Sequence, residues 1–487
     1  MNKEVVLSID LGTSSTRTAL YDEEGHRIPA TTAQECYELI TTLDGGAELD
    51  PGVLLRAVMH CIDLTLQAHR VDPALRARPI VGIGVSCFWH SVVGCDAKGV
   101  SLTNIMTWAD TRGREEAARL RERFDERKMH ARTGCMLRAS FWPAKLRWLE
   151  RTHHRKFTAV KQWLSPAEWL QQTLIGQAHC GLAMASGTGL FNATKLTWEA
   201  DLLKFCEIDA AHLPAVSDEP TPVQGRLAQQ FPELKDVPWF PGIGDGLAAN
   251  LGCGASEPGF AAISVGTSAA VRVLREGKEA QAPFGLFAYR VDAKRYLVGG
   301  AISNASNLQA WCGREMKLPD EATIEAEFAK RQAPEHGLVV LPFWTPERAP
   351  TWDEDAPGAI HGIGQHTTSL DLLQALMEAS YQRLARIAAR LAEEKQEISK
   401  IIVSGGIERI ASALQRLSDV LGETIYASEE TEVALRGAAV YAWERLGYKP
   451  AAAKIGRAIR PRAKCVKLYA AEREKQRRLE EALAALR

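Results

Sequence analysis

The sequence predicts an α/β protein of two similar domains around a central cleft, and three observations point there. A short phrase occurs twice: Ser8-Ile9-Asp10-Leu11-Gly12-Thr13-Ser14, and later Ser264-Val265-Gly266-Thr267-Ser268. Each copy follows an apolar run (Val5-Val6-Leu7; Ala261-Ala262-Ile263) and leads into another strand-like stretch. Strand-like and helix-like segments then alternate through both halves. The 487 residues exceed a single core and fit two domains of roughly 200–250 residues each. Aligning the Gly-Thr-Ser triplets sets Asp10 opposite Ser264, so only the first copy keeps an acid. That asymmetry suits a phosphate held between two turns with a metal on one side.

In chain order, Val5 to Asp10 reads as a buried strand, and Arg17 to Tyr21 as its partner across the turn. His26 to Leu39 could supply a third strand. Val53 to Ala68 has helical spacing, with Leu54, Leu55, Val58, Ile62 and Leu64 apolar. Pro79 to Ser86 and Ser91 to Cys95 are further strand candidates. Residues 113 to 235 read as helices and loops rich in tryptophan (Trp142, Trp148, Trp163, Trp169, Trp198). The small-residue helix Leu247 to Gly252 precedes the domain junction. In the second half strands are expected at Ala261–Val265, Ala270–Leu274, Tyr296–Gly299, Lys400–Ser404 and Thr424–Ala427. Helices are expected at Leu370–Glu393 and Ala434–Leu446, and the charged, Ala/Leu-rich tail from Tyr469 reads as a surface helix.

Composition excludes several function classes. A formal net charge of -1 provides no global field for nucleic acid or an anionic membrane. The ten cysteines form no CxxC pair, which argues against a zinc ribbon or a thioredoxin-type site and fits a reducing compartment. There is no signal-peptide pattern and no apolar stretch of membrane-spanning length, so a cytoplasmic protein is expected. No Walker A pattern occurs, because no Lys follows the glycines of the first turn.

Several separated motifs, in order, resemble the FGGY carbohydrate kinases within the sugar kinase/actin/Hsp70 group of ATPases. They are Asp10-Leu11-Gly12-Thr13-Ser14, Trp108-Ala109-Asp110-Thr111-Arg112, Lys145-Leu146-Arg147-Trp148-Leu149, Gly244-Asp245-Gly246 and Gly266-Thr267-Ser268. Glu347-Arg348-Ala349-Pro350-Thr351-Trp352-Asp353, Ser404-Gly405-Gly406 and Arg436-Gly437-Ala438-Ala439 complete the series. Trp142 and Pro357 depart from the family pattern. The resemblance implies two ribonuclease-H-like domains with ATP and sugar in the cleft: residues 1–252, residues 253–465, and a helical tail from 466 to 487. It implies transfer of the γ-phosphoryl group of ATP, with Mg²⁺, to a sugar or polyol hydroxyl.

Phosphoryl transfer needs positioning, charge neutralisation and a base beside the attacking hydroxyl. By resemblance, Asp10 and Asp245 hold the magnesium. Gly12, Thr13, Ser14 and Arg17 meet the nucleotide from one side, and Gly266, Thr267, Gly405 and Gly406 from the other. Asp245 is assigned as the general base; a helix N-cap is its structural alternative. For Asp-x-Gly-Thr the alternative is an ordinary hairpin turn. Trp89, His90, Asp110 and Asp245 are placed on the substrate, with a salt bridge or turn as the alternative for Asp110. The motifs look most like the gluconokinase branch, which acts on the 6-hydroxyl of gluconate, with xylulokinase the nearest competitor. Arg112, Arg138 and Lys145 are candidate readers of the gluconate carboxylate. A non-catalytic nucleotide switch or a sugar sensor is the reading from another class. The expected partner is a small sugar or sugar acid, with no nucleic acid or membrane partner, and a homodimer is possible.

Overall fold

The computed structural model describes residues 4–331, 333–393 and 398–486. Among them each half carries a seven-stranded sheet. The first contains β1 (Val5–Leu11), β2 (Ser15–Asp22), β3 (Ala33–Cys36), β4 (Ile80–Cys87), β5 (Thr221–Pro222), β6 (Pro238–Trp239) and β7 (Ile243–Gly244). Its order is β5-β6-β4-β1-β2-β3, with β7 also pairing β4. The second contains β8 (Phe260–Val265), β9 (Ala269–Glu276), β10 (Phe287–Arg290), β11 (Arg295–Ile302), β12 (Lys400–Gly405), β13 (Ile425–Ser428) and β14 (Ile455–Ile459), ordered β10-β11-β9-β8-β12-β13-β14.

The internal repeat is real at the level of register. β1 pairs antiparallel with β2 and parallel with β4, which sets Asp10 beside Arg17 and Ser86. β8 pairs antiparallel with β9 and parallel with β12, which sets Ser264 beside Ala270 and Ser404. Asp10 and Ser264 therefore occupy the same node of two equivalent sheets. The turns differ by one residue. Leu11 pairs with Thr16 across the first, whereas Val265 pairs with Ala269 across the second.

β1 is buried on both faces, as its unbroken apolar run requires. Helix α1 (Pro51–Val71) covers β2 and β3. It starts at Asp50, whose side chain accepts from Val53 N, with Pro51 at the first position, and it buries Leu54, Val58, Ile62 and Leu66. The expected third strand contracts to β3, because Pro29 opens a 3₁₀ turn over Pro29–Thr31. Residues between β4 and β5 form a separate core around Trp142, Leu146 and Trp163. That insertion is fastened to the second half: His130 Nε2 lies 2.6 Å from Leu286 O, and Arg290 Nε donates to Ala193 O at 2.7 Å.

The halves are joined by two crossing helices, α2 (Asp245–Cys253) and, far along the chain, α5 (Val433–Arg445); α3 (Ser306–Glu315) and α4 (Ser369–Ala392) lie between them in sequence. α5 lies in sequence between β13 and β14 of the second sheet yet packs on β1 and β4 of the first, and Ser8 Oγ donates to Leu435 O at 2.6 Å. α2 and α5 touch backbone to backbone: a Cβ on Gly437 would sit 1.7 Å from Ala248 O. Arg436 locks the crossing by donating to Gly25 O (3.1 Å), Gly252 O (3.0 Å) and Ala451 O (2.8 Å). The tail is longer and better anchored than its charge suggests. Helix α6 (Ala463–Ala484) buries Cys465, Tyr469 and Gln476, and Gln476 donates to Val340 O at 2.8 Å. No described helix is long and apolar enough to cross a membrane.

Candidate active site

Between the sheets lies a cavity of about 430 Å³, lined from the first half by the Gly12–Ser15 turn, Trp89, His90 and Asp245, and from the second by Ser268, Arg272 and Arg348. Asp10 and Arg17 face it as well. Asp10 ends β1, 7% exposed, with Arg17 Nη1 at 3.8 Å. Burial raises its pKa to about 6 against the pull of Arg17, and the negative charge of Asp245 adds to the rise. A buried carboxylate so poorly neutralised, sharing a cavity with a second one, fits a divalent cation. Among the described residues no group of three or more His, Cys, Asp or Glu could hold a metal by itself. Two carboxylates completed by phosphate oxygens and water match the way magnesium is held in phosphoryl-transfer sites.

Asp245 opens α2, and its Oδ1 accepts from Gly246 N at 2.8 Å. Its surface is open to the cleft, yet protein surrounds that part of the cleft so closely that desolvation still raises the carboxyl pKa, opposed by the charge of Arg272. The flanking glycines are needed for close packing. A Cβ on Gly244 would lie 1.8 Å from the Trp89 ring, and one on Gly246 would lie 2.9 Å from the same ring and 2.7 Å from Arg272 Nε. They admit an indole beneath the Asp245 turn. Trp89 is 5% exposed, donates Nε1–H to Ala183 O at 3.1 Å, and meets Tyr289 edge to face. Its ring is mostly spent on supporting that turn.

His90 is held at φ 64°, with its ring against Phe141 and Tyr289 and Nδ1 2.5 Å from Gly187 O. Burial pushes its pKa down to about 3. The ring is therefore neutral in working buffers, and Nδ1 carries the proton, because a carbonyl can only accept. Nε2 is left as an acceptor for a hydroxyl. The unfolded chain binds this proton near pH 6.5, whereas the folded chain refuses it until about pH 3. Stability from this group is complete above pH 6.5 and falls as pH drops through that window. His90→Gln should therefore flatten the loss of urea-unfolding stability between pH 7 and pH 4.5 by about 1 kcal/mol or more. Equal losses in both proteins would show that the ring does titrate in the folded state.

The remaining expected residues are placed as follows. Gly266, Thr267, Gly405 and Gly406 sit on open turns at the ends of β8 and β12. Gly405 takes φ 98°, and a Cβ there would meet Val265 O at 2.4 Å. α3 starts beside this pair of turns, with Ser306 N donating to Gly266 O at 3.0 Å. Beyond it opens an apolar cavity of about 720 Å³ between α3, α4 and Arg409-Ile410. Asp110 lies fully buried behind the cleft wall, accepting from Ala47 N and Arg112 Nε at 3.1 Å each, which is its salt-bridge alternative. Its direct partners are protein groups that brace the 107–112 loop.

None of the three candidate carboxylate readers lines the cavity. Arg112 pairs with Asp110 and Glu48, Arg138 with Glu126, and the wholly buried Lys145 donates to His90 O (2.8 Å) and Ser140 O (2.6 Å). Besides Arg17, the cations lining the cavity are Arg272 and Arg348, neither of which the motifs assigned to the site. Arg272 left one trace in the sequence, as a lone charge inside the apolar run Ala269-Ala270-Val271-Arg272-Val273-Leu274.

Comparison with known proteins identifies the family. Residues 5–252 match the N-terminal domain, and residues 261–443 the C-terminal domain, of the FGGY family of carbohydrate kinases. A gluconokinase of Bacillus subtilis (strain 168) is 25% identical over 450 residues, covering 89% of this chain and 86% of that one. A glycerol kinase of Xanthomonas axonopodis pv. citri (strain 306) is 28% identical over 460 residues, covering 92% and 91%. The ligand-bound xylulose kinase structure from Lactobacillus acidophilus superposes with a TM-score of 0.89 at 25% identity, covering 99% of each chain. The chain belongs to the FGGY family of carbohydrate kinases and is a phosphotransferase acting on a sugar hydroxyl.

Proposed function

We propose that this kinase moves the γ-phosphoryl group of ATP to a hydroxyl of a sugar acid, with gluconate giving 6-phosphogluconate as the leading acceptor. The observation that supports the chemistry is the desolvated Asp245 carboxylate open to the cavity that also holds Asp10 and the Gly12–Ser14 turn. Asp245 accepts the hydroxyl proton as the phosphoryl group arrives. Backbone amides and hydroxyls of Thr13 and Ser14, and those of Gly266 and Thr267 opposite, orient the phosphate chain. Mg²⁺, held by Asp10 and Asp245, would neutralise phosphate charge. The largely apolar cavity of about 720 Å³ suits the nucleotide base, and Arg409 and Ile410, which line it, follow Gly405 and Gly406 closely in the chain. Neutral His90 accepts from a sugar hydroxyl.

Gluconate is favoured by the motif pattern and by the gluconokinase relative. Pentuloses and polyols are the competing acceptors, as the xylulose and glycerol kinases indicate. A panel of aldonic acids, ketopentoses and polyols in a coupled ADP-release assay decides between them. Gluconate should give the highest kcat/KM. A neutral sugar preferred over every aldonic acid would overturn the sugar-acid reading and leave the kinase assignment standing.

A further inference from the structure

Two half-buried guanidiniums flank the proposed base. Arg272 reaches from β9 to lie against Gly246, and its Nη1 donates to Ser264 Oγ at 3.0 Å. Arg348 comes from the segment between α3 and α4. Its Nε donates to Ser303 Oγ (3.2 Å) and its Nη2 to Ile302 O (3.0 Å), and the guanidinium lies 5.4 Å from the Trp108 ring centroid across the cleft. All of these hydrogen-bond partners are neutral. The carboxylate that acts on both cations is Asp245. The Asp245 side of the cavity therefore opposes one carboxylate with two cations, whereas Asp10 faces a single cation, Arg17, at 3.8 Å. A desolvated surplus of positive charge is costly until an anion completes it.

We propose that Arg272 and Arg348 together read a carboxylate on the acceptor, making them the specificity residues for sugar acids over neutral sugars. This rests on the sugar-acid reading above. The geometry explains why the cations are on the second half while the base and His90 are on the first. An acceptor held by both ends spans the two domains, and its hydroxyl is presented to Asp245 only when its carboxylate is seated. A guanidinium suits the task because its planar fork pairs with a carboxylate through two parallel hydrogen bonds.

The test compares gluconate with glucitol, the same carbon chain carrying a hydroxymethyl group in place of the carboxylate. Arg272→Met and Arg348→Met should each lower the gluconate-to-glucitol ratio of kcat/KM by about 100-fold, mainly through gluconate KM, with ATP KM moving less than about threefold. Arg272→Lys keeps the charge without the fork and should recover part of the ratio, which also controls for misfolding. Thermal melts with and without nucleotide check that each variant is folded. Wild-type preference for gluconate that persists in both Met variants overturns the inference alone. A rise in ATP KM with equal loss on both acceptors also overturns it, assigning the arginines to the phosphates. Wild-type preference for neutral sugars sinks the sugar-acid reading together with this one.

Discussion

On the proposed mechanism, Asp245→Asn should leave the fold intact and lower kcat on the order of a thousandfold, with nucleotide affinity changing far less. The reasoning is isosteric. Asn Oδ1 can still accept from Gly246 N, so the first turn of α2 keeps its hydrogen bond and the Trp89 support is untouched. What disappears is the negative charge: an amide cannot take a proton from the attacking hydroxyl, and it weakens the proposed hold on Mg²⁺. The alternative role, helix capping, makes the opposite forecast. Asp245 is the first residue of α2 and Gly244 stands at the cap, with no side-chain cap bond, so stability should hardly move. Single-turnover transfer and thermal melts separate the two. Near wild-type turnover in Asp245→Asn would remove the base from the mechanism.

The largest effect on stability is expected at the helix crossing. Gly437→Ala would place a methyl 1.7 Å from Ala248 O and 2.7 Å from Ala248 Cα. Both obstacles are backbone, so no rotamer change relieves the clash, and α2 and α5 must separate. Overpacking of a core commonly costs 1–3 kcal/mol, and a backbone collision belongs at about 3 kcal/mol or above. Because Asp245 opens α2, the displacement should also lower kcat in the fraction that folds. Gly313→Ala in α3 is the control: its added Cβ meets nothing within 4 Å, and helix propensity favours Ala there by up to about 1 kcal/mol. Urea unfolding checks both. A Gly437→Ala protein within half a kcal/mol of wild type (about 0.5 kcal/mol) would show that the crossing can slide.

Much of the fold was legible because strands and turns are written in near-neighbour chemistry. The apolar run before Asp10, the Gly-Thr turn and the following alternation all act within a dozen residues, and they appear as β1 and β2. Two readings misjudged an element's extent or anchoring for local reasons. Pro29 shortened the third strand, and the buried stripe Cys465, Tyr469 and Gln476 is too sparse to stand out among the charges of α6. In the site, the phosphate turns, Asp10 and Asp245 could be named, whereas Arg272 and Arg348 could not. Arg348 sat in a recognised motif whose role looked structural, and Arg272 in a strand whose neighbours are all apolar. Arg112, Arg138 and Lys145 were plausible cations until their partners were seen.

The amino-acid order alone shows two equivalent halves, one holding an acid where the other holds a serine, each with a Gly-Thr turn. It cannot say which charges share a cavity. Asp10, Asp245, Arg272 and Arg348 are separated by up to hundreds of residues, and they come together because parallel register aligns β1 with β4 and β8 with β12 and because two glycines let α2 and α5 cross in contact. Backbone hydrogen bonding and steric exclusion at that crossing act between distant segments, so the identity of the cations facing the base is a property of the packed molecule.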